Sequence, residues 1–265
     1  MTERYFRDGQ EVEASGFTVS GLDEGLTLGL NVFETVRTYH GRFFRLTAHV
    51  QRLLGSAQQM GVTIPSHEAL EAEFQAAIAG TDQDLQARMM ITMGGTRLLR
   101  VSRIDAARVR RPLRVVSRLW EPVSWLDGRV KHGSRAVGEV ARRQAGVDEV
   151  FWVGTDGCFT EAARSSIVAV VGGCLVTPPI DGRILEGVTR AALLEAALAS
   201  GLSMQTAPLP ASAVLTELYA CSTLKELAPV ASLDGRPGPG SGPLGAALQT
   251  ALSALIDAEC TAAEG

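Results

Sequence analysis

The chain has 265 residues, 46% of them hydrophobic, and a mean hydropathy of +0.12, which is enough for one large or two smaller domains. Its net charge of −4 and isoelectric point near 5.7 exclude an overall positive field that would attract nucleic acid or an acidic membrane surface. No apolar run reaches membrane-spanning length, and residues 1–4 lack the apolar core of a signal peptide. We therefore expect a cytoplasmic protein without nucleic-acid or membrane partners.

The cysteines and histidines are scattered and form no pair at metal-ligand spacing, so the sequence predicts neither a metal site nor a disulfide framework. They are Cys158, Cys174, Cys221, Cys260, His40, His49, His67 and His132. We expect each cysteine to be a small buried or half-buried side chain.

The first 46 residues read as short strands and turns. Residues 32–39 alternate apolar and polar side chains, which predicts a half-buried strand. His40 and Gly41 form a tight turn, and residues 42–46 follow as the return strand of a hairpin.

Two helices and two strands are predicted next. Thr47 is expected to cap a helix that Gly61 ends, with an apolar stripe of Val50, Leu53, Leu54, Ala57 and Met60. Ser66 begins a second helix that runs to Gly80. Residues 85–93 and 112–119 are strand candidates.

Residues 120–128 carry turn residues at both ends and read as a linker. This places an N-terminal domain at residues 1–119 and a C-terminal domain at residues 129–265. The arginine-rich run of residues 97–118 is interrupted by apolar residues at strand-like intervals. It is interpreted as the solvated faces of strands and loops, with an anion-facing surface as the alternative.

After the linker, Ser134 is expected to cap a helix that stops at Gly146. Successive antiparallel hairpins follow at residues 150–153, 159–161, 167–171 and 175–177. The remaining elements are a helix at residues 189–198, a strand at 204–209, a short helical piece to Leu218, a strand at 219–222 and a helix at 244–256.

Lys131 is one of only two lysines among 25 Lys and Arg residues; the other is Lys225. A desolvated lysine amine can attack a carbonyl and form a Schiff base, whereas arginine cannot deprotonate in a protein. Lys131 is therefore a candidate Schiff-base residue, with an ordinary surface lysine as the alternative.

Several other residues suit a phosphorylated aldehyde cofactor. The run Gly187-Val188-Thr189 opens a helix, where free backbone N–H groups favour an anion. Ser222 and Thr223 add hydroxyl groups at a strand end, and Arg52 could bind phosphate through its guanidinium fork. With Glu161 as the carboxylate that keeps the pyridine nitrogen protonated, these are the groups that pyridoxal phosphate requires.

In this order the motifs resemble the class IV aminotransferases, the fold-type IV pyridoxal phosphate enzymes that include branched-chain and D-amino-acid aminotransferases and aminodeoxychorismate lyase. The resemblance covers residues 4 to about 250. It rests on residues 33–37, 49–53, Lys131, 157–161, 175–179, 187–190, 222–230 and 234–235.

The resemblance implies an α/β (α+β) protein with a small N-terminal α/β domain, a larger C-terminal domain built on a β-barrel-like core, and the cofactor at the domain interface. It implies Lys131 as the Schiff-base lysine and Glu161 on the pyridine nitrogen. It also implies phosphate contacts from Arg52, Val188, Thr189 and Thr223, with Ser222 beside them. Ser166 stands where the family commonly has a cofactor-binding asparagine. Arg37, Arg88 and Arg164 are candidate substrate-binding residues, with a solvent-facing side chain as the alternative for Arg164, and Lys225 is interpreted as a surface residue.

The resemblance implies a homodimeric aminotransferase that acts on an amino acid and a 2-oxo acid. Gln86 and Ala136 replace tyrosines of the branched-chain enzymes, and Lys131-His132 followed by Arg135 is similar to aminodeoxychorismate lyases. A lyase that releases pyruvate and 4-aminobenzoate is therefore the alternative. A binding protein that kept the fold and lost catalysis is a third hypothesis, disfavoured because Lys131 and Glu161 are both present.

Overall fold

The structure is a computed structural model that describes residues 3–123 and 125–261. The chain divides into two compact units. The first unit comprises the residues up to Asp105, the segment Val130–Ser134 and the residues from Ile256 onward. The second unit comprises Ala106–Arg129 and Arg135–Leu255. Ser124 of the expected linker lies outside the described residues.

The first unit contains an antiparallel six-stranded sheet in the order β2-β1-β6-β5-β3-β4. Its strands are β1 (Arg4–Arg7), β2 (Gln10–Val12), β3 (Asn31–Tyr39), β4 (Arg42–Phe43), β5 (Leu85–Thr92) and β6 (Arg97–Arg103). Its helices are α1 (Glu24–Thr27), α2 (Leu46–Met60) and α3 (His67–Ile78), with a short 3-10 turn at Ala14–Gly16.

One face of this sheet and the apolar faces of α2 and α3 form a single core. Alternate residues of β3 and β5 point into it, including Val32, Val36 and Met89, as the period of two predicts for a strand. Gly61 ends α2 with φ 69°, a backbone conformation that glycine adopts without strain. Ser66 caps α3 by accepting the N–H of Ala69 at 3.3 Å, as the sequence predicted.

The second unit is built on a ten-stranded mixed sheet in the order β12-β11-β10-β14-β15-β7-β8-β9-β13, with β16 paired to β15. The strands are β7 (Leu113–Leu119), β8 (Glu149–Val153), β9 (Cys158–Ala162), β10 (Ser166–Val171), β11 (Cys174–Thr177), β12 (Met204–Thr206), β13 (Leu209–Pro210), β14 (Glu217–Ser222), β15 (Glu226–Leu233) and β16 (Arg236–Pro237). The helices are α4 (Ala136–Ala145), α5 (Val188–Ala199) and α6 (Pro243–Thr261), whose residues from Ile256 belong to the first unit, with a 3-10 turn at Ala106–Arg108.

The sheet of the second unit curls, because β9 and β10 pack against each other although they lie far apart in the strand order. Its inner face encloses an apolar core that includes Phe151, Phe159, Ile167 and Val230. The Phe151 and Phe159 rings meet edge to face at 5.8 Å. This curled, side-chain-filled sheet is the β-barrel-like core that the family resemblance implied.

The two units have different bounds from the domains expected from the sequence. β7 lies on the N-terminal side of the expected linker, yet it pairs in parallel with β15 and β8 in the second unit. The segment Val130–Ser134 lies on the C-terminal side of that linker and belongs to the first unit. Pairing with strands distant in sequence decides both assignments.

Three local predictions were wrong. Helix α2 begins at Leu46 after Arg45, and the Thr47 hydroxyl donates to Glu71 at 2.6 Å instead of capping the helix. Helix α4 begins after Arg135, because the Ser134 hydroxyl donates to the Gly29 carbonyl at 3.1 Å. The residues between β13 and β14 form turns and no helix, and Leu218 lies within β14.

Strand β3 is more deeply buried than the predicted half-buried strand. Seven of its nine residues are buried and only Thr35 and Tyr39 are half-buried. The core covers one face, while cationic side chains stack on Phe33 and Tyr39 on the other face. Within residues 3–123 and 125–261, no helix combines the length and apolar character needed to cross a membrane.

Candidate active site

Lys131 is held at the edge of the sheet in the first unit. The segment Val130–Ser134 runs antiparallel to the beginning of β3, with Val32 opposite His132. The N–H of Phe33 donates to the Lys131 carbonyl at 3.1 Å, and the N–H of Gly133 donates to the Asn31 carbonyl at 3.0 Å. A side chain at Gly133 would overlap the Asn31 amide, so only glycine permits this close approach. The backbone around Lys131 is therefore fixed.

The side chain of Lys131 lies on an aromatic ring. Its Nζ is 5.1 Å from the centroid of Phe33, within the range of a cation–π contact. The backbone N–H of Lys131 donates to the Ser56 hydroxyl of α2 at 3.0 Å, which fixes the lysine to the helix that also carries His49 and Arg52. Lys131 is half-buried.

A buried charge cluster, formed by Glu34, His49 and Arg52, accompanies Lys131. The carboxylate of Glu34 is fully buried and accepts from Arg52 Nε at 2.6 Å and Arg52 Nη2 at 2.9 Å. It also lies 2.9 Å from His49 Nδ1. The arginine fork therefore meets the carboxylate through two nitrogens, the strong geometry for this pair.

The cluster shifts the pKa values of its members. Burial by itself would raise the pKa of Glu34, but the Arg52 and Lys131 cations and the His49 hydrogen bond outweigh burial and hold it well below its usual range. Burial lowers the pKa of His49, and the same two cations add to the effect. The cluster thus holds an ionised Glu34 and a neutral His49 at neutral pH, with the Lys131 cation within electrostatic reach.

Sequence reasoning missed Glu34 and His49. Glu34 occupies the same face of β3 as Val32 and Val36, both fully buried, so a carboxylate there requires a buried cationic partner. His49 and Arg52 are three residues apart on α2 and therefore lie on one face of the helix. These two spacings are the signal that could have identified the cluster.

The candidate substrate residues Arg37 and Arg88 lie on the opposite face of the sheet from Glu34. Arg88 stacks on Phe33 at 4.1 Å, and Lys131 contacts the same ring. Arg37 stacks on Tyr39 at 4.2 Å and forms an ion pair with Asp84 at 3.4 Å. The structure thus groups Arg88 with Lys131 and directs Arg37 toward Asp84.

In the second unit the structure brings Glu161, Ser166 and the start of α5 together. An oxygen of Glu161 accepts the N–H of Leu185 at 3.1 Å, two residues before Gly187. Ser166 lies against Gly187, where a Cβ would sit 2.5 Å from its hydroxyl oxygen. Gly187 is the N-cap of α5 and makes no side-chain cap, so the first turn presents its N–H groups to whatever binds there.

Ser222 and Thr223 join the same group of residues. Ser166 is paired in register with Cys221, so Ser222 at the end of β14 lies beside the beginning of β10. Burial raises the pKa of the Cys221 thiol to about 12, which keeps it neutral. One end of the second unit therefore carries the Glu161 carboxylate and the hydroxyl groups of Ser166, Ser222 and Thr223. The start of α5, with Val188 and Thr189, lies at the same end.

Arg164 and Lys225 are committed to ion pairs. Arg164 donates to the Asp148 carbonyl at 2.9 Å and lies 3.5 Å from the Glu139 carboxylate. Lys225 was expected on the surface, and this was wrong: its side chain is 18% exposed and donates to the buried Glu149 at 2.9 Å. Pairing with a buried carboxylate draws its ammonium inward.

The sequence of this chain matches the family model for amino-transferase class IV over residues 31–233. It is 28% identical to a putative branched-chain-amino-acid aminotransferase of Methanocaldococcus jannaschii, with 88% of each chain covered. It is also 28% identical to a bifunctional aminodeoxychorismate lyase / D-amino acid transaminase of Mycobacterium tuberculosis, with 86% of this chain and 90% of that protein covered.

Solved structures agree with the sequence comparisons. A hypothetical aminotransferase from Mycobacterium tuberculosis, in its α-ketoglutarate- and PMP-bound form, superimposes with a TM-score of 0.87 at 26% identity. The match covers 97% of this chain and 99% of that chain. These findings confirm the fold class and the family resemblance expected from the motifs, and the chain belongs to the class IV aminotransferase family.

Proposed function

We propose that this protein is a pyridoxal-phosphate-dependent aminotransferase that moves an amino group between an amino acid and a 2-oxo acid, with Lys131 as the Schiff-base residue. The observation that carries the proposal is the placement of Lys131. Its backbone is fixed to β3 and α2, its ammonium lies on Phe33, and its charge is coupled to the buried Glu34. A half-buried lysine whose backbone is fixed in this way is positioned to react with an aldehyde.

The residues of the second unit fit the cofactor. The first turn of α5 and the hydroxyl groups of Ser222 and Thr223 suit a phosphate dianion. Gly187 has no side chain, and the Ser166 hydroxyl oxygen lies 2.5 Å from where a Cβ would be, so this hydroxyl is next to the start of the helix. We propose that Val188 and Thr189 bind the phosphate together with Ser222 and Thr223, and that Ser166 lies beside them.

Arg52 is proposed to contribute to phosphate binding. Its Nε and Nη2 donate to Glu34, so a phosphate contact requires the guanidinium to share or exchange that ion pair. Arg88 and Arg37 are proposed to bind substrate carboxylates. Arg164 is proposed for the same task, which requires it to exchange its ion pair with Glu139 for the substrate.

When bound, the cofactor supplies an aldehyde and a ring that accepts electrons. Lys131 would hold the cofactor through Nζ and, as the free amine, would move a proton at the substrate α-carbon. The Glu161 carboxylate would keep a proton on the pyridine nitrogen by stabilising the cationic ring.

The experiment is borohydride reduction of the protein with bound pyridoxal phosphate, followed by peptide mass spectrometry. We expect the label on Lys131, and we expect Lys131→Ala to remain unlabelled and to have no transaminase activity. Because Lys225 is the other lysine, Lys225→Arg is the matched control and should be labelled as the parent protein is. A label on Lys225, or none on any lysine, would contradict the proposal.

A lyase activity is the second candidate. The relative from Mycobacterium tuberculosis is named for both aminodeoxychorismate lyase and D-amino acid transaminase. Gln86 and Ala136 occupy positions of branched-chain tyrosines, which also favours a substrate other than a branched-chain amino acid. Incubation with aminodeoxychorismate and an assay for pyruvate and 4-aminobenzoate separates the two reactions. Amino transfer to 2-oxoglutarate without either product would reject the lyase.

We further propose that the protein acts in the cytoplasm as a homodimer. Leu22, Leu26 and Leu28 in the first unit are exposed, and such side chains are suited to burial in a subunit contact. Light scattering at working concentration is the test, and a monomer would refute the dimer.

A further inference from the structure

Lys225 forms a hydrogen-bonded triangle with Glu149 and Ser165, and Arg164 lies 3.9 Å from the other oxygen of Glu149. Lys225 Nζ donates to Glu149 Oε2 at 2.9 Å and to the Ser165 hydroxyl at 2.7 Å. The Ser165 hydroxyl in turn donates to Glu149 Oε2 at 2.9 Å. Glu149 is fully buried at the start of β8, so the network is shielded from water and its hydrogen bonds resist competition.

The backbone of Lys225 shapes the loop that carries Thr223. Its N–H donates to the Ser222 carbonyl at 3.1 Å and closes the turn between β14 and β15. Its carbonyl accepts the N–H of Arg110 at 3.1 Å. Glu226 follows with φ 54°, a left-handed conformation that costs a non-glycine residue free energy. The turn therefore depends on outside contacts to keep this shape.

The Lys225 side chain connects two segments that carry hydroxyl groups. It extends from the turn that bears Ser222 and Thr223 to Ser165, the neighbour of Ser166. Ser166 contacts Gly187 at the start of α5. The pairing of β10 with β14 places the Ser222–Thr223 turn beside the beginning of β10, and the Lys225 ammonium adds a side-chain link that holds the turn against it.

We propose that Lys225 is a positioning residue for the phosphate end of the cofactor site, acting through Ser165 and Glu149 on the turn that carries Ser222 and Thr223. This inference rests on the proposed function. Lys225 touches neither the cofactor nor the substrate. It holds the hydroxyl groups in the arrangement that a phosphate dianion needs, and small displacements of such groups are costly.

The test compares two ligands that differ only in the phosphate: pyridoxal phosphate and pyridoxal. Their dissociation constants are measured by absorbance titration for the parent protein, Lys225→Met, Lys225→Arg and Ser165→Ala. Lys225→Met removes the ammonium and keeps an unbranched side chain. Arg97→Met is the matched control, because Arg97 forms a comparably buried ion pair with Glu73 in the other unit.

We expect Lys225→Met to weaken the binding of pyridoxal phosphate about tenfold, equivalent to about 1.4 kcal/mol. Its affinity for pyridoxal should change less than about twofold. Lys225→Arg should recover most of the affinity. Ser165→Ala should act in the same direction, and the double variant Lys225→Met/Ser165→Ala should not exceed Lys225→Met, because both changes break one network. Arg97→Met should bind both ligands as the parent protein does.

Unchanged affinity of Lys225→Met for pyridoxal phosphate would overturn the inference and leave the proposed function intact. An equal loss of affinity for both ligands would also overturn the inference, because it would assign Lys225 a general structural role. If Lys225→Met does not fold, Ser165→Ala and Lys225→Arg decide between these outcomes. A parent protein that binds neither ligand would refute the proposed function itself.

Discussion

Replacement of Glu34 tests the buried charge cluster most directly. Glu34→Ala would leave the Arg52 and His49 groups without the carboxylate that they contact at 2.6, 2.9 and 2.9 Å. Removing one partner of a buried ion pair costs about 3–5 kcal/mol. Glu34→Gln keeps the shape and one acceptor but loses the charge. We expect it to lower the free energy of unfolding by about 1.5–3 kcal/mol, the range for a hydrogen bond to a charged group.

The pH dependence gives this prediction a sign. The pKa of folded Glu34 is lowered, so the unfolded state binds a proton first as the solution is acidified. Its contribution to stability is complete above the unfolded pKa of about 4.3 and is lost as pH falls through the lower folded pKa. The difference in unfolding free energy between the parent protein and Glu34→Gln should be constant near neutrality and should narrow below about pH 4.5.

The assay is urea unfolding followed by far-ultraviolet circular dichroism at a series of pH values. Because Glu34 also raises the pKa of folded His49, both proteins are compared in a His49→Gln background, which removes proton uptake at this position. Glu11→Gln is the matched control, because Glu11 pairs with Arg4 at an exposed site and its loss should cost at most about 1 kcal/mol. The reasoning is refuted if Glu34→Gln is as stable as the parent protein at pH 7, or if the gap does not narrow in acid.

Two further predictions follow from single positions. Glu161→Gln should keep its acceptor for the Leu185 N–H and still bind cofactor. It should slow the single-turnover half-reaction about 10- to 100-fold, since an ionic hydrogen bond is worth about 1.5–3 kcal/mol. An unchanged rate would exclude Glu161 as the partner of the ring nitrogen. Gly245→Ala should destabilise the protein in thermal unfolding by about 1–3 kcal/mol, because its Cβ would overlap the buried Tyr219 hydroxyl, whereas Gly55→Ala in the open interior of α2 should stabilise by about 0.5–1 kcal/mol. Equal effects of the two glycine changes would contradict the overlap.

Local sequence patterns predicted most of the helices and strands. Alternation identified β3 and β5, and the apolar stripe that Gly61 closes identified α2. The order of short motifs around Lys131, Glu161 and Thr189 indicated the family, which the family match confirmed. These features depend on neighbours within a few residues, and the sequence contains that information directly.

The assignment of strands to sheets could not be obtained in the same way. β7 was expected in the N-terminal domain because a turn-rich segment follows it. Its hydrogen-bonding partners are β15 and β8, and a parallel strand always finds its partner through a distant connection. Turn residues mark where the chain bends, and they do not determine which sheet a strand enters.

The sequence by itself determined the elements, the family and the chemical types of the candidate site residues. Only the tertiary structure decided that Glu34 neutralises Arg52 beside Lys131, and that Lys225 is directed inward to Glu149. The physical reason is that a charged side chain can lie in solvent or be buried against a counter-charge. The balance depends on partners that β-strand pairing and helix packing bring together from distant parts of the chain.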